Sequence, residues 1–180
     1  MNRQKTIFWG ILAFLFVTAC HHTKNSTAGL SKEDEALKTK YAEKLGVTEK
    51  EITNIRLYRF VDEWYGTPYV YGGKTKSGVD CSGFASALLR DVYGIALAGS
   101  ANSMYEGCEK LNQKELKEGD LVFFKINSKK VSHVGVYLQN RRFIHASSSR
   151  GVVISNLDEA YYTKYYFKGG RPKPSTSTSR

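Results

Sequence analysis

The sequence predicts an α+β domain in which N-terminal helices pack on one antiparallel sheet of about five to six strands. Three observations carry this. Apolar residues recur at helical spacing through the first half of the chain, and alternation at period two takes over after Gly119. The loops between the alternating segments are too short for crossovers between parallel strands. With 180 residues, 41% of them hydrophobic and 13% aromatic, the chain has room for one core and one domain of ordinary size.

The chain opens on Arg3 and Lys5, continues through an apolar run at 7–17 and reaches Thr18-Ala19, which reads as an export signal over 1–19. The run is too short to cross hydrocarbon of about 30 Å, which disfavours a permanent transmembrane helix. Val17-Thr18-Ala19-Cys20 resembles the bacterial lipobox, whose cysteine is acylated and becomes the new first residue. Acyl chains on Cys20 would hold the protein on a membrane. His21 stands where an aspartate would signal inner-membrane retention, so placement on the outer membrane, facing the periplasm, is expected.

Residues 21–30 are small and polar and suit a tether. Ser31 can cap a helix with Asp34 at the capping-box distance, Ala36, Leu37, Ala42 and Leu45 follow, and Gly46 ends it. Thr48 and Glu51 form a second box, and Leu57, Val61 and Trp64 share one face of a helix closing near Tyr65. Breakers at 66–68 and 72–78 leave a short segment at 69–71. From Cys81, Phe84, Leu88 and Val92 repeat every four residues with Ala85 and Leu89 beside them, so a buried helix runs to Tyr93 with Gly94 as its cap. Strands follow at 121–126, 131–138, 142–146 and 152–155. The tail at 171–180 has no apolar residue except prolines and is expected to be disordered. The divisions are then a signal at 1–19, a lipidated cysteine, tether and helix at 20–47, a catalytic domain at 48–170 and the tail.

The formal charge of +10 keeps most of its excess once Arg3 and Lys5 leave with the signal. Export argues against nucleic acid, leaving anionic headgroups, wall-peptide carboxylates or a merely solvated surface. Three cysteines make no disulfide framework. With Cys20 acylated, Cys81 and Cys108 are expected as free thiols, since pairing them would silence whichever reacts. His21 and His22 lie on the tether without further ligands and are assigned no metal.

A thiol becomes a useful nucleophile when its pKa falls, and a helix N-terminus beside a histidine favours the thiolate. Cys81 opens a helix, although a cysteine there is more often a small buried apolar residue. His133 begins a strand of alternating apolar residues that otherwise has no use for an imidazole. His145 lies on the next strand, and neighbouring antiparallel strands can set the two side by side so that the second fixes the tautomer of the first. Cys108 sits among charged neighbours with no such context, and the aromatic cluster at 161–167 reads as packing that closes the domain edge.

Gly66-Thr67-Pro68-Tyr69 with Gly72-Gly73, Asp80-Cys81-Ser82-Gly83, the segment at 119–124, His133-Val134-Gly135-Val136-Tyr137 and His145-Ala146 together resemble the NlpC family of cell-wall cysteine peptidases, over about residues 54–168. The resemblance implies a papain-like fold, with a helix carrying the cysteine and a sheet carrying the histidines. By motif it implies Cys81 as nucleophile, His133 as general base and then acid, and His145 as the orienting third member. Tyr69 would border the oxyanion together with the Cys81 backbone N–H, and Asp80 and Ser82 would line the substrate pocket. The implied reaction is hydrolysis of a peptidoglycan stem-peptide bond, either γ-D-Glu to meso-diaminopimelate or the D-Ala to meso-diaminopimelate cross-link, through an acyl-thioester and without metal or cofactor. A non-catalytic wall-binding lipoprotein and a cysteine acyltransferase on the same fold are the competing classes. The chain is read as a monomer.

Overall fold

The computed structural model describes residues 31–173. The export signal, Cys20, the tether and the tail from 174 onward lie outside the described residues. Helix α1 (Lys32–Leu45) starts where Ser31 Oγ accepts from the Asp34 N–H at 3.1 Å and stops at Gly46, whose φ of 67° no β-carbon favours. Asp34 does not complete a capping box. Its carboxylate turns to Arg59, whose Nε lies 2.8 Å from Oδ1, and so ties α1 to α2 (Ile55–Trp64). Thr48 and Glu51 do form a box, but around a single 3-10 turn, and α2 begins again behind its own cap, Asn54. Leu57, Tyr58, Phe60, Val61 and Trp64 make the buried face of α2.

A short hairpin of β1 (Lys74–Thr75) and β2 (Gly78–Val79) precedes α3 (Cys81–Leu88). Beyond Leu88 the helical path continues through a wider π turn, Leu89–Tyr93, to Gly94, so the expected extent holds while the last turn differs. After α4 (Ala101–Glu106) come β3 (Cys108–Leu111), β4 (Leu121–Phe124), β5 (His133–Tyr137), β6 (Arg142–Ser147), β7 (Gly151–Asn156), α5 (Ala160–Tyr165) and β8 (Tyr166–Pro172). The six long strands form one antiparallel sheet in the order β3-β8-β4-β5-β6-β7, with α1 to α4 before it in sequence and α5 between β7 and β8.

Pleating divides the sheet cleanly. Leu121, Phe123, Val134, Val136, Ile144 and Ala146 turn toward α1, α2 and α3, where Phe84 meets Phe60 and Trp64 at ring centroid distances of 6.0 and 5.9 Å. Val122, Phe124 and Phe143 turn the other way, under Tyr162 of α5. Tyr41 and Leu45 of α1 are fully buried in the larger core, so α1 packs as part of the same body as α2 and α3.

Six elements lie outside the expected pattern: the β1–β2 hairpin, α4, β3, α5 and β8. The disordered tail needs correcting at its start, because β8 runs to Pro172 and so includes Arg171. Arg171 Nε donates to Asp120 Oδ1 at 2.9 Å and Nη2 to Oδ2 at 2.8 Å, and Asp120 is 3% exposed. A polar residue without core-forming character is thus held by the one buried carboxylate it can reach.

Candidate active site

Asp80 caps α3 by accepting from the Gly83 N–H at 2.6 Å, and the same carboxylate accepts from Ser82 Oγ at 2.9 Å and from the Gly72 N–H at 2.9 Å. Its oxygens are therefore engaged in holding the 72–73 loop against the first turn of α3. Cys81 follows directly and is 8% exposed, at the floor of a cleft of about 630 Å³. Tyr69, Ser82, Lys74 and Arg90 line the same cleft, as do Ser100 and Ala101 from the segment entering α4. Tyr69 enters by an isolated bridge to Val79 and is half-buried. Its phenol is held above the usual range by burial, then by the neighbouring Cys81 and Asp80.

The thiol was expected to have a lowered pKa. The structure moves it the other way: burial raises it, against the opposing pull of the Val134, Ser82 and Cys81 backbone N–H groups. The Val134 amide can face the sulfur because β5 and β6 pair only at Val136↔Ile144 and Tyr137↔Phe143 and separate beyond them. A helix N-terminus and an unpaired strand amide thus converge on Cys81, and desolvation still outweighs them.

His133, the first residue of β5, lies on the opposite face from Val134 and packs against Phe124 at a centroid distance of 5.9 Å. Its Nε2 is 2.8 Å from His145 Nδ1. The rings stand at 89° to one another, so each nitrogen lone pair or N–H is aimed along the bond rather than into a stack. Burial lowers the His133 pKa from 6.5 to about 4. His145 is 1% exposed and is pushed well below the ordinary range by burial, by His133 and by Arg150. Both imidazoles are therefore neutral at neutral pH.

The structure brings His133 and His145 into direct contact, sets the Cys81 thiol against the residue next to His133, and puts Tyr69, Asp80 and Ser82 around the cleft. Cys108 is remote from this, buried in β3, a free thiol like Cys81, with burial raising its pKa to about 11. Sequence reasoning missed three groups. Tyr162, Ser155 and Arg150 lie behind His145, and the aromatic cluster read as edge packing supplies one of them. No local pattern marks a tyrosine whose ring is core and whose hydroxyl reaches a histidine 17 residues away. The constellation sets a buried thiol, beside an open cleft, one residue along the strand from a neutral imidazole that is paired with a second.

A family model described as NlpC/P60 family matches residues 66–171. Over 110 residues the chain is 46% identical to the probable endopeptidase NlpC homolog of Haemophilus influenzae, covering 61% of this chain and 58% of that protein. Over 109 residues it is 40% identical to the murein DD-endopeptidase MepS/murein LD-carboxypeptidase of Escherichia coli strain K12, covering 61% of this chain and 57% of that protein. The chain thus spans little more than half the length of these two relatives. The crystal structure of the NlpC/p60 domain of the peptidoglycan hydrolase SagA is similar at a TM-score of 0.57 and 26% identity, covering 67% of this chain and 99% of that one.

Proposed function

The chain belongs to the NlpC/P60 family, and on that premise we propose that it is an exported peptidoglycan endopeptidase that hydrolyses stem-peptide bonds with Cys81 as nucleophile. The observation that carries this is the arrangement at the start of β5: a buried thiol at a helix N-terminus abuts the strand whose first residue, His133, is bonded to His145 at 2.8 Å. Relatives at 46% and 40% identity named as an endopeptidase and a murein DD-endopeptidase support the substrate class.

In the mechanism, the thiol and His133 rest as a neutral pair, because burial raises the one pKa and lowers the other. Proton transfer to His133 then accompanies attack on the peptide carbonyl, which forms the S–C bond of a tetrahedral intermediate. The Cys81 N–H and the Tyr69 hydroxyl stabilise its oxyanion. His133 gives the proton to the leaving amine, the acyl-thioester remains, and a water that His133 deprotonates releases the acid. Lys74 makes the cleft attractive to stem-peptide carboxylates, while Arg90 on the same wall is paired with Asp91. Ser82 stands on the cleft wall, while Asp80 acts by holding the loop.

The same reading extends to the anchor. Cys20 carries lipid that holds the enzyme on the outer membrane, facing the periplasm, and 21–30 tethers one domain that includes α1 and all of β8 as well as 48–170. The support is the lipobox-like Val17-Thr18-Ala19-Cys20.

Mass spectrometry of defined cross-linked and uncross-linked muropeptides tests the reaction. New amine and carboxyl termini are expected with the wild type and none with Cys81→Ala, and their position identifies the bond. Intact substrate with both proteins between pH 5 and pH 9 would rule the peptidase out.

A further inference from the structure

Two elements converge on the far nitrogen of His145, and a residue of a third segment bonds to both. Its Nε2 lies 3.0 Å from the Tyr162 hydroxyl of α5 and 3.1 Å from Ser155 Oγ of β7. Ser155 Oγ donates to the Tyr162 hydroxyl at 3.3 Å. From the turn before β7, Arg150 Nη2 donates to Ser155 Oγ at 3.1 Å and to the Tyr162 hydroxyl at 3.5 Å. Ser155 and Tyr162 are 3% and 5% exposed, so the bonds among them and His145 form away from bulk water, while Arg150 reaches them from an exposed turn.

We propose that Tyr162 and Ser155 are positioning residues that act through His145, their oxygens holding its single proton on Nε2. The inference rests on the peptidase reading for the direction of these bonds and on the bond geometry for the groups that make them. Because His133 Nε2 is engaged by His145, only Nδ1 remains to receive the Cys81 proton. A neutral His133 ready to do so carries its own proton on Nε2 and donates it to His145 Nδ1. That nitrogen accepts only when the His145 proton sits on Nε2, and a buried N–H needs an acceptor. The two hydroxyl oxygens supply it, which requires the Tyr162 hydrogen to point away from Nε2 and out of the cluster, because Arg150 and Ser155 both donate to the Tyr162 oxygen.

The opposite polarity would be unproductive. A hydroxyl donating into Nε2 would move the His145 proton to Nδ1, and His133 would then hold its proton toward Cys81, where a base needs a lone pair. Arg150 adds a second constraint. Its positive charge beside a buried imidazole disfavours a second proton on His145, so the proton taken from the thiol stays on His133.

The test uses the full chain labelled with 15N-histidine. Nitrogen shifts of His145 read the tautomer without substrate, and kcat and KM are measured on a muropeptide. In the wild type we expect the proton on Nε2. Ser155→Ala with Tyr162→Phe is expected to mix or reverse the tautomers and to lower kcat roughly 10- to 100-fold, the scale of outer partners that orient an imidazole, with KM within about twofold. Ser155→Thr, which keeps the hydroxyl, is expected to restore the wild-type tautomer and rate when Tyr162 is intact. Should the double variant fail to fold, Tyr162→Phe alone keeps the ring against Phe124 and Phe143 and is read in the same way. A wild-type His145 protonated on Nδ1, or a double variant with unchanged tautomer and kcat, overturns the proposal. A tautomer that shifts in a chain with no peptidase activity supports this assignment and defeats the peptidase reading separately.

Discussion

His145 reaches His133 across a glycine. The β5–β6 register of Val136↔Ile144 and Tyr137↔Phe143, extended by one residue, sets Gly135 opposite His145 and His133 diagonally beyond it. A β-carbon on Gly135 would meet the Phe143 ring at 2.6 Å and the His145 β-carbon at 3.2 Å. The missing side chain is the space through which the two imidazoles meet at 2.8 Å.

Gly135→Ala is therefore expected to displace His145 or Phe143, both deeply buried, at a cost of about 1–3 kcal/mol. Chemical denaturation reads the stability loss. Activity should fall by more than the unfolded fraction accounts for, because the His133–His145 bond lengthens. An alanine variant with unaltered stability and turnover would mean that the strands part freely at this point.

Stability should depend on pH between about 6.5 and about 4. His133 has a folded pKa of about 4 against an ordinary value of 6.5, and His145 is also depressed. Between those values the unfolded chain binds more protons than the folded one, so stability is full above about pH 6.5 and falls as pH drops toward 4. His133 alone contributes at most about 3 kcal/mol to that loss. Urea titrations at the two ends of the range measure it, and His133→Gln should flatten the dependence. A rise in stability on acidification would contradict the sign.

Truncation after Lys173 should be tolerated, whereas Arg171→Met should destabilise by about 1–3 kcal/mol, because it leaves the buried Asp120 carboxylate short of two donors. Thermal melts compare the two. Equal melting temperatures for Arg171→Met and the wild type would show the pair to be dispensable.

Cys20→Ser should abolish metabolic labelling with palmitate and release the protein from membranes. The readouts are radiolabel incorporation and fractionation. Labelled protein in the variant, or unlabelled protein that stays on the membrane, would move the anchor to another site.

The parts of the fold that were legible beforehand are those written in local pattern. Ser31, Gly46, Gly94 and the four-residue repeat of Phe84, Leu88 and Val92 set helices whose ends can be read because caps and periodicity act within a few residues. The strands carrying His133 and His145 showed their alternation in the same way. β8 did not: Gly169, Gly170 and Pro172 look like breakers, yet the strand runs between β3 and β4. There a side chain on Gly170 would strike Cys108 and Phe123 at 2.8 Å, so the glycine is required by close neighbours that only the fold brings near.

By itself the sequence determined the order of α1 to α3 and of strands β4 to β7, the placing of Cys81 at a helix start, and the histidines on successive strands. Caps, turns and apolar spacing specify such things over short distances. Tertiary structure alone decided the rest. It raised the Cys81 thiol instead of lowering it, because desolvation depends on everything packed around the sulfur. It also drew Tyr162 and Ser155, from separate elements, onto the nitrogen of His145 that faces away from His133.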